Sequence, residues 1–171
     1  MLPLLTTPRL VLRPAVAADI DAVWQMLVLP EVRRYLCDDI ALPRATVAGI
    51  VGEAAFGAGL GLWVAERAGA FAGIAALKPV PPALVALVPA LAGEIEPTVA
   101  LLPALWRQGL AGEMLGAVLA HGFATLALPR IAAVCDVPNI ASAAMLARAG
   151  FVPTGEHQGI AHRIRTWTLS R

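Results

Sequence analysis

Small residues cluster in residues 101–113, which read LLPALWRQGLAGE and end an apolar segment. Gly109, Ala111 and Gly112 let a ligand approach the backbone closely. The pattern predicts that a helix over residues 109–126 follows directly, and the first N–H groups of a helix have no partner inside it. Such groups, aimed at one point, bind a phosphate or a pyrophosphate. The same small residues also suit a tight strand–helix turn without any ligand. Neither a Gly-Lys-Ser/Thr phosphate loop nor a Gly-x-Gly-x-x-Gly motif is present.

Two carboxylates stand alone in an otherwise uncharged part of the chain. Glu94 and Glu96 are the only charged residues between positions 79 and 106, and in a strand over 94–102 they share a face. A carboxylate buried without purpose is costly, so one of them is a candidate general base for a substrate ammonium, directly or through water. The pattern is explained equally well by two exposed strand carboxylates, or by carboxylates that only attract a cationic amine. Pro97 cannot donate a ladder hydrogen bond, which fits an edge or a bulge where the strand opens.

The hydrophobic pattern predicts the elements that position these groups. Helices are expected over residues 18–29, 31–36, 44–56, 109–126 and 139–149, the last with Asn139 as N-cap and Gly150 at its end. Strands are expected over 9–13, 94–102, 130–135, 151–154 and 164–169, and a hairpin over 62–66 and 71–77. This order predicts one mixed α/β domain over residues 1–171.

Composition excludes several classes of protein. The chain is 58% hydrophobic and 15% charged, which excludes natural disorder and raises the question of a membrane protein. The uncharged run over residues 79–93 has fifteen residues with four prolines, whereas a spanning helix needs about 20 apolar residues. That run is therefore expected to form an apolar flap, a hairpin or an interface, including a surface for a homodimer. A net charge of +1 provides no basic surface for nucleic acid.

The cysteines and histidines predict neither a disulfide framework nor a metal site. Two cysteines make no framework, and Cys135 is expected to pack in a strand. The three histidines, at positions 121, 157 and 162, lack metal-ligand spacing. Residues 1–8 lack the features of a signal peptide, so a cytoplasmic location is expected.

Several motifs, in order along the chain, resemble those of the GNAT acyltransferases. Residues 101–113 are similar to the acetyl-CoA signature Gln/Arg-x-x-Gly-x-Gly/Ala, and more closely to the form Pro-x-x-Trp-Gly-x-Gly-x-Ala-x-Glu of the ribosomal-protein N-terminal acetyltransferase branch. The matching residues are Pro103, Trp106, Gly109, Ala111 and Glu113. Residues 7–14, 30–36 and the closing Asn139-x-x-Ser142…Leu146…Gly150-Phe151 also resemble that branch. The departures are Trp106 and Arg107, where Gln or Arg and glycine are usual, and Gly112 in place of Thr or Ser.

The resemblance implies a GNAT-like fold, with a central, mostly antiparallel twisted sheet splayed at one point and flanked by helices. It also implies transfer of an acetyl group from acetyl-CoA to a primary amine, on a protein N-terminus or a small molecule, by direct attack in a ternary complex. The alternative is a non-catalytic acyl-CoA-binding or dimeric interaction module of the same fold. The residues expected to bind acetyl-CoA are Leu101, Leu102, Arg107, Gln108, Gly109, Leu110, Ala111, Gly112 and Asn139.

For the chemical step, the resemblance favours Glu96 over Glu94 as the base. Many members use a tyrosine after the closing motif to protonate the leaving thiolate, but Tyr35 is the only tyrosine of this chain and lies far from that position. Ser142 is the predicted substitute, and a thiol with a pKa of about 8.5 also leaves without an acid. Ser142 and Asn139 are otherwise explained as first-turn hydroxyl and N-cap of a helix.

Overall fold

A computed structural model describes residues 2–53 and 55–171. Its strands are β1 (Leu5–Thr6), β2 (Val11–Pro14), β3 (Ala55–Gly57), β4 (Leu60–Arg67), β5 (Ala70–Pro79), β6 (Ile95–Leu101), β7 (Arg130–Asp136), β8 (Val152–Gln158) and β9 (Arg163–Ser170). Its helices are α1 (Ile20–Leu27), α2 (Pro30–Leu36), α3 (Arg44–Gly52), α4 (Pro82–Leu87), α5 (Leu110–Ala120) and α6 (Ile140–Arg148).

The strands form two sheets that meet at β6 and β7. The first has the order β1-β2-β4-β5-β6, with β3 on β4, and the second has the order β7-β9-β8. The described pairings within both sheets are antiparallel. β6 and β7 lie side by side but belong to different hydrogen-bonded sheets. The predicted mixed α/β fold, with its sheet splayed at one place, is confirmed.

Helices cover both faces of the sheets. On one face, α5 buries Leu110, Met114 and Val118 against Trp63 of β4 and Ile131 of β7, as the three- and four-residue spacing of its apolar side chains predicts. The other face carries a second core in which α1, α2 and α3 pack on β4 and β5. Each face of the sheets thus carries its own apolar core, on either side of the line where β6 meets β7.

Two predicted helices end earlier than expected. α5 stops at Ala120 and continues as one π-helical turn over His121–Thr125, in which His121 Nε2 lies 2.8 Å from the Gly59 carbonyl oxygen. The helix predicted over 44–56 is wrong at its end, because it stops at Gly52 and β3 follows. Gly57 has a positive φ of 78°, which turns the chain back into β4. Ala54, within that predicted helix, and Met1, within the segment 1–8, lie outside the described residues.

The apolar run 79–93 forms a cover over the second sheet. It holds α4 and a 3₁₀ turn over Pro89–Leu91, and each begins with a proline at its first position, where the missing N–H is no loss. Val80, Val88 and Leu91 are buried against β7 and β9. A hairpin is therefore the wrong description, because the run is helical. Most of its other residues, Leu87 among them, are exposed. None of the helices in the described ranges is long and apolar enough to cross a membrane.

Candidate active site between β6 and β7

The N-terminus of α5 presents free backbone N–H groups beside β6. Its N-cap is Gly109, with a φ of 78°, and no side chain caps it. A positive φ disfavours any residue with a Cβ, which explains the glycine. The first hydrogen bond of the helix runs from the Glu113 N–H to the Gly109 oxygen, 3.2 Å. The N–H groups of Leu110, Ala111 and Gly112 therefore have no partner within the helix.

Residues from the start of the chain hold this turn in place. Arg9 donates from Nη2 to the Gln108 carbonyl oxygen at 2.8 Å and from Nε to Glu113 Oε1 at 2.6 Å. The Thr7 hydroxyl donates to Glu113 Oε2 at 2.8 Å, and this bond first, with Arg9, lowers the pKa of Glu113. Thr7 and Arg9, from the segment 7–14 that resembles the family's first strand, thus support the turn.

The remaining residues of the turn are also fixed. Arg67, at the end of β4, donates to Gln108 Oε1 at 2.8 Å. Trp106 donates from Nε1 to the Leu101 carbonyl oxygen at 2.8 Å. Arg107 is exposed with a φ of 60°, and it makes no ion pair within the part of the chain that the structure describes. Its guanidinium is therefore free to meet an anion at the turn.

The backbone of β6 offers hydrogen-bonding groups toward β7. At its two ends, the Leu102 N–H donates to the Ala72 oxygen and the Val80 N–H to the Glu94 oxygen. Because backbone groups alternate along an antiparallel ladder, Ile95, Pro97, Val99 and Leu101 direct theirs away from β5. Pro97 thus stands where its missing N–H breaks no ladder bond. Leu101 matches its predicted place in the site, whereas the Leu102 N–H is already used.

The two carboxylates of the sequence analysis each have a cation. Lys78, opposite Glu96 on β5, donates to Glu96 Oε1, and the Glu96 side chain is only 10% exposed. Glu94 is held by Arg130, whose Nε lies 3.1 Å from Glu94 Oε2. Val80 and Ala76, two residues on either side of Lys78, belong to the cores on the α1–α4 face. The Lys78–Glu96 pair therefore opens on that face.

Ser142 and Asn139 lie at the start of α6, on the opposite side of β7. The Ser142 N–H donates to Asn139 Oδ1 at 3.1 Å, which confirms Asn139 as the N-cap. Ser142 is next to the Cys135 thiol, whose pKa is raised by burial. Cys135 accepts a hydrogen bond from Trp167 Nε1 at 3.3 Å and packs in the α5 core, as predicted. Since Ser142 and Glu96 face opposite sides of the sheets, the structure does not bring them together directly.

The structure also brings together a third group of polar residues that no sequence motif connects. Asp136 ends β7, and its Oδ2 lies 3.4 Å from Nδ1 of His162. The rings of His162 and Tyr35 have centroids 5.5 Å apart. These residues come from helix α2, from β7 and from the turn before β9, so no local sequence motif contains them. Among the described residues, no cluster of three or more His, Cys, Asp or Glu has the arrangement of a metal site.

Comparison with known proteins identifies the family. Residues 9–152 match the family described as Acetyltransferase (GNAT) domain. YoaA, an uncharacterized N-acetyltransferase of Bacillus subtilis strain 168, is 40% identical over 55 residues, a segment that spans 32% of this chain and 31% of YoaA.

Solved structures share the fold at low identity. An acetyltransferase from Agrobacterium tumefaciens strain C58 superposes with a TM-score of 0.81 at 21% identity, covering 100% of this chain and 96% of that one. RimL, a ribosomal L7/L12 alpha-N-protein acetyltransferase solved with coenzyme A, gives 0.77 at 18% identity and 98% coverage of both chains. The family match covers most of the chain and includes α5 and its N-terminal turn. The chain therefore belongs to the GNAT acetyltransferase family.

Proposed function

We propose that this protein transfers an acetyl group from acetyl-CoA to a primary amine by direct attack in a ternary complex. The observation that carries the proposal is the uncapped N-terminus of α5, placed next to the strand that ends the first sheet. Family membership supplies the reaction class, and the N–H groups of Leu110, Ala111 and Gly112 supply a fit to a pyrophosphate.

The donor would lie along the gap between β6 and β7. The pyrophosphate meets the turn 106–109 and the first N–H groups of α5, where Arg107 adds a positive charge. The outward N–H groups of Val99 and Leu101 are available to the pantetheine arm and to the thioester carbonyl. Asn139 still has its amide NH₂ as a donor toward the same gap, because its oxygen serves as the N-cap.

The acceptor would enter from the α1–α4 face, where Glu96 lies. An amine reacts only after losing a proton, and Glu96 is the residue that the sequence predicts for this role. In the free protein its carboxylate pairs with the Lys78 ammonium, a cation of the same chemistry as the acceptor, which supports this role. A protein N-terminus fits this face, and RimL acts on such a substrate. A small primary amine fits the same chemistry.

The leaving thiolate would form on the α6 side, beside Ser142. The Ser142 hydroxyl is the predicted proton donor there. Its replacement by alanine tests this role, since loss of an acid slows turnover most for acceptors whose reaction is limited by thiol departure.

Thermal unfolding with and without acetyl-CoA tests the donor site. Ligand at 100 times its Kd stabilises the folded state by about 2.7 kcal/mol, and no shift at millimolar acetyl-CoA would end the proposal. Release of free thiol in the presence of peptides with free N-termini and of small primary amines then tests transfer. A protein that binds acetyl-CoA but releases no thiol with any amine is a binding module.

A further inference from the structure

The acceptor face carries a buried carboxyl group, that of Asp136, which pairs with no Arg or Lys side chain among the described residues. Asp136 is 8% exposed, and the basic side chain beside it is His162, whose Nδ1 lies 3.4 Å from Asp136 Oδ2. Burial raises the pKa of Asp136 above its usual value, Asp38 adds to the rise, and the charge of His162 offsets part of it. By contrast, Asp19, equally buried, binds Arg13 through two hydrogen bonds of 2.7 and 2.8 Å. A carboxyl group left so weakly paired is costly for stability and is typical of functional sites.

Asp136 stands on the same face as Glu96. Along β7, Ile131, Ala133 and Cys135 point into the α5 core, while Ala132 and Val134 belong to the core under α4. By alternation, Asp136 shares the face of Ala132 and Val134. Glu94 and Arg130, next to the first residues of β6 and β7, form an ion pair, so the two strands begin side by side. Asp136 and the outward-facing end of β6 therefore border one gap.

His162 connects this carboxyl group to an open cavity. Its Nδ1 is buried without a hydrogen bond and lies 3.4 Å from Asp136 Oδ2. An ionised Asp136 favours the tautomer with the proton on Nδ1 and a lone pair on Nε2. His162 also lines a cavity of about 480 Å³ with Pro30, Glu31, Arg33, Arg34 and Asp39. An amine in that cavity meets an imidazole oriented as a base.

We propose that His162, oriented by Asp136, accepts the proton of the acceptor ammonium. His162 is then a catalytic residue of the proposed N-acetyl transfer, on which this inference rests, and Asp136 is a positioning residue. The ammonium gives one proton to His162 Nε2, and the neutral nitrogen attacks the thioester carbon. A C–N bond forms, the C–S bond breaks, and the thiolate leaves with the electron pair. The Ser142 hydroxyl protonates the thiolate and regains a proton from solvent. The nitrogen loses its second proton to solvent, and His162 also returns its proton there.

Glu96 is the rival for this role, and the structure distinguishes the two. One Glu96 oxygen is occupied by Lys78, the only lysine of the chain. His162 faces a cavity with room for an acceptor and has no such partner among the described residues beyond Asp136 and the Tyr35 ring. Glu96 then orients the acceptor, with Lys78 defining the position of its carboxylate.

Chemical rescue tests the inference. His162→Ala is expected to lower kcat by about 100-fold, the usual contribution of a general base, while the Kd of acetyl-CoA changes less than 2-fold. Added imidazole should restore thiol release in proportion to its free-base concentration, because it fits the space beside the cavity. His157→Ala, on the neighbouring β8, is the matched control and should keep its activity without any response to imidazole.

Two further variants separate a base from a structural residue. Asp136→Asn should lower kcat by about 10-fold with no rescue by imidazole, since the ring is present but no longer oriented. His162→Gln should match His162→Ala in kcat while keeping the side-chain volume. His162 variants that retain more than a third of wild-type kcat, or that lose activity without imidazole rescue, overturn the inference, as does a loss confined to Glu96→Gln. A wild type that binds acetyl-CoA but acetylates no amine overturns the proposed function itself.

Discussion

The two sides of the gap between β6 and β7 differ in how their polar groups are paired. On the donor side, the turn 106–109 is held by Arg9, Arg67 and Trp106, through bonds of 2.8 Å to backbone or amide oxygens. On the acceptor side, His162 Nδ1 is buried without a hydrogen bond, and Asp136 has that imidazole, at 3.4 Å, as its basic neighbour. The donor turn is thus held by the protein's own hydrogen bonds and leaves the first N–H groups of α5 for a ligand, whereas on the acceptor side the candidate catalytic groups themselves lack such bonds.

The proposed function accounts for this difference by what each side would bind. A turn that receives one invariant pyrophosphate gains from being rigid beforehand, because binding then orders nothing further. A group that must take a proton from a substrate needs a free lone pair, and a full set of protein hydrogen bonds would remove it. Changes on the donor side should therefore alter affinity, and changes on the acceptor side should alter turnover.

Gly109→Val should have the largest effect on the donor side. A β-branched residue at a φ of 78° is strained by about 1–3 kcal/mol, and its side chain would press on Arg9 Nη2, which lies 3.3 Å from the position of an added Cβ. We expect the Kd of acetyl-CoA, measured by calorimetry, to rise about 30-fold.

Gly116→Ala is the matched control on the same helix. An added Cβ there meets no atom within 4 Å, and alanine is the better helix former by about 1 kcal/mol. The control should gain stability and keep its affinity for acetyl-CoA. If Gly109→Val also kept that affinity, the turn would not be the anion site.

Arg9→Ala should change the kinetic constant for the donor and leave those for the acceptor and for turnover unchanged. It removes the two hydrogen bonds that fix Gln108 and Glu113. Because the Arg9 side chain is 41% exposed, we expect the free energy of acetyl-CoA binding to weaken by only about 1.4 kcal/mol. The KM for acetyl-CoA should rise about 10-fold, with kcat and the acceptor KM within 2-fold. Arg9→Lys should lie between, since lysine lacks the planar fork. A rise in the acceptor KM instead would show that the clamp serves both substrates.

The donor side was largely predictable from the sequence, because its chemistry is local. Gly109, Ala111 and the following helix stand within one short segment, and an unpaired helix N-terminus is visible in the sequence pattern. The support by Arg9 and Thr7 was not predictable from spacing, since about 100 residues separate them from Glu113 in a pairing that only the folded chain creates.

The acceptor side was predicted only at Glu96. Three distant elements contribute its other residues: α2 holds Tyr35, β7 ends with Asp136, and the turn before β9 holds His162. Within its own segment, each of these residues has an ordinary structural explanation. The path of the chain between β6 and β9 decides that they meet. The fold of residues 79–93 was not predictable for a similar reason, because Val80, Val88 and Leu91 pack with Ala132 and Ile164, which are remote in sequence.

Substitutions of Asn139 test whether this residue, whose side-chain oxygen caps α6, also binds acetyl-CoA. Asn139→Ala removes the cap on the Ser142 N–H and should destabilise the protein by about 1 kcal/mol in urea unfolding. Asn139→Ser keeps a capping oxygen and should restore that stability. Because serine lacks the amide NH₂, its affinity for acetyl-CoA should still fall about 3-fold, the effect of one modest hydrogen bond. Unchanged affinity in Asn139→Ser would leave Asn139 as a cap alone.

The smallest and most direct contrast comes from neutralising one carboxyl group on each side. The pKa of Glu113 is lowered by Thr7 and Arg9, so its ionised form stabilises the fold above the usual glutamate value of 4.5, and this stabilisation is lost as pH falls through the lowered pKa. Glu113→Gln should therefore lower the thermal midpoint at pH 8, with the difference fading in acid.

Asp136→Asn should act in the opposite direction. Because burial raises the pKa of Asp136, ionisation opposes folding once the pH exceeds the usual aspartate value of 3.8, and the full penalty is present above the raised pKa. The asparagine variant should therefore melt higher than the wild type at pH 8, and the gap should close as the pH falls toward 3.8. A lower midpoint for both variants at pH 8 would place Asp136 among the stabilising groups and remove the contrast. A more stable variant with lower kcat would show that Asp136 is kept for turnover at the expense of stability.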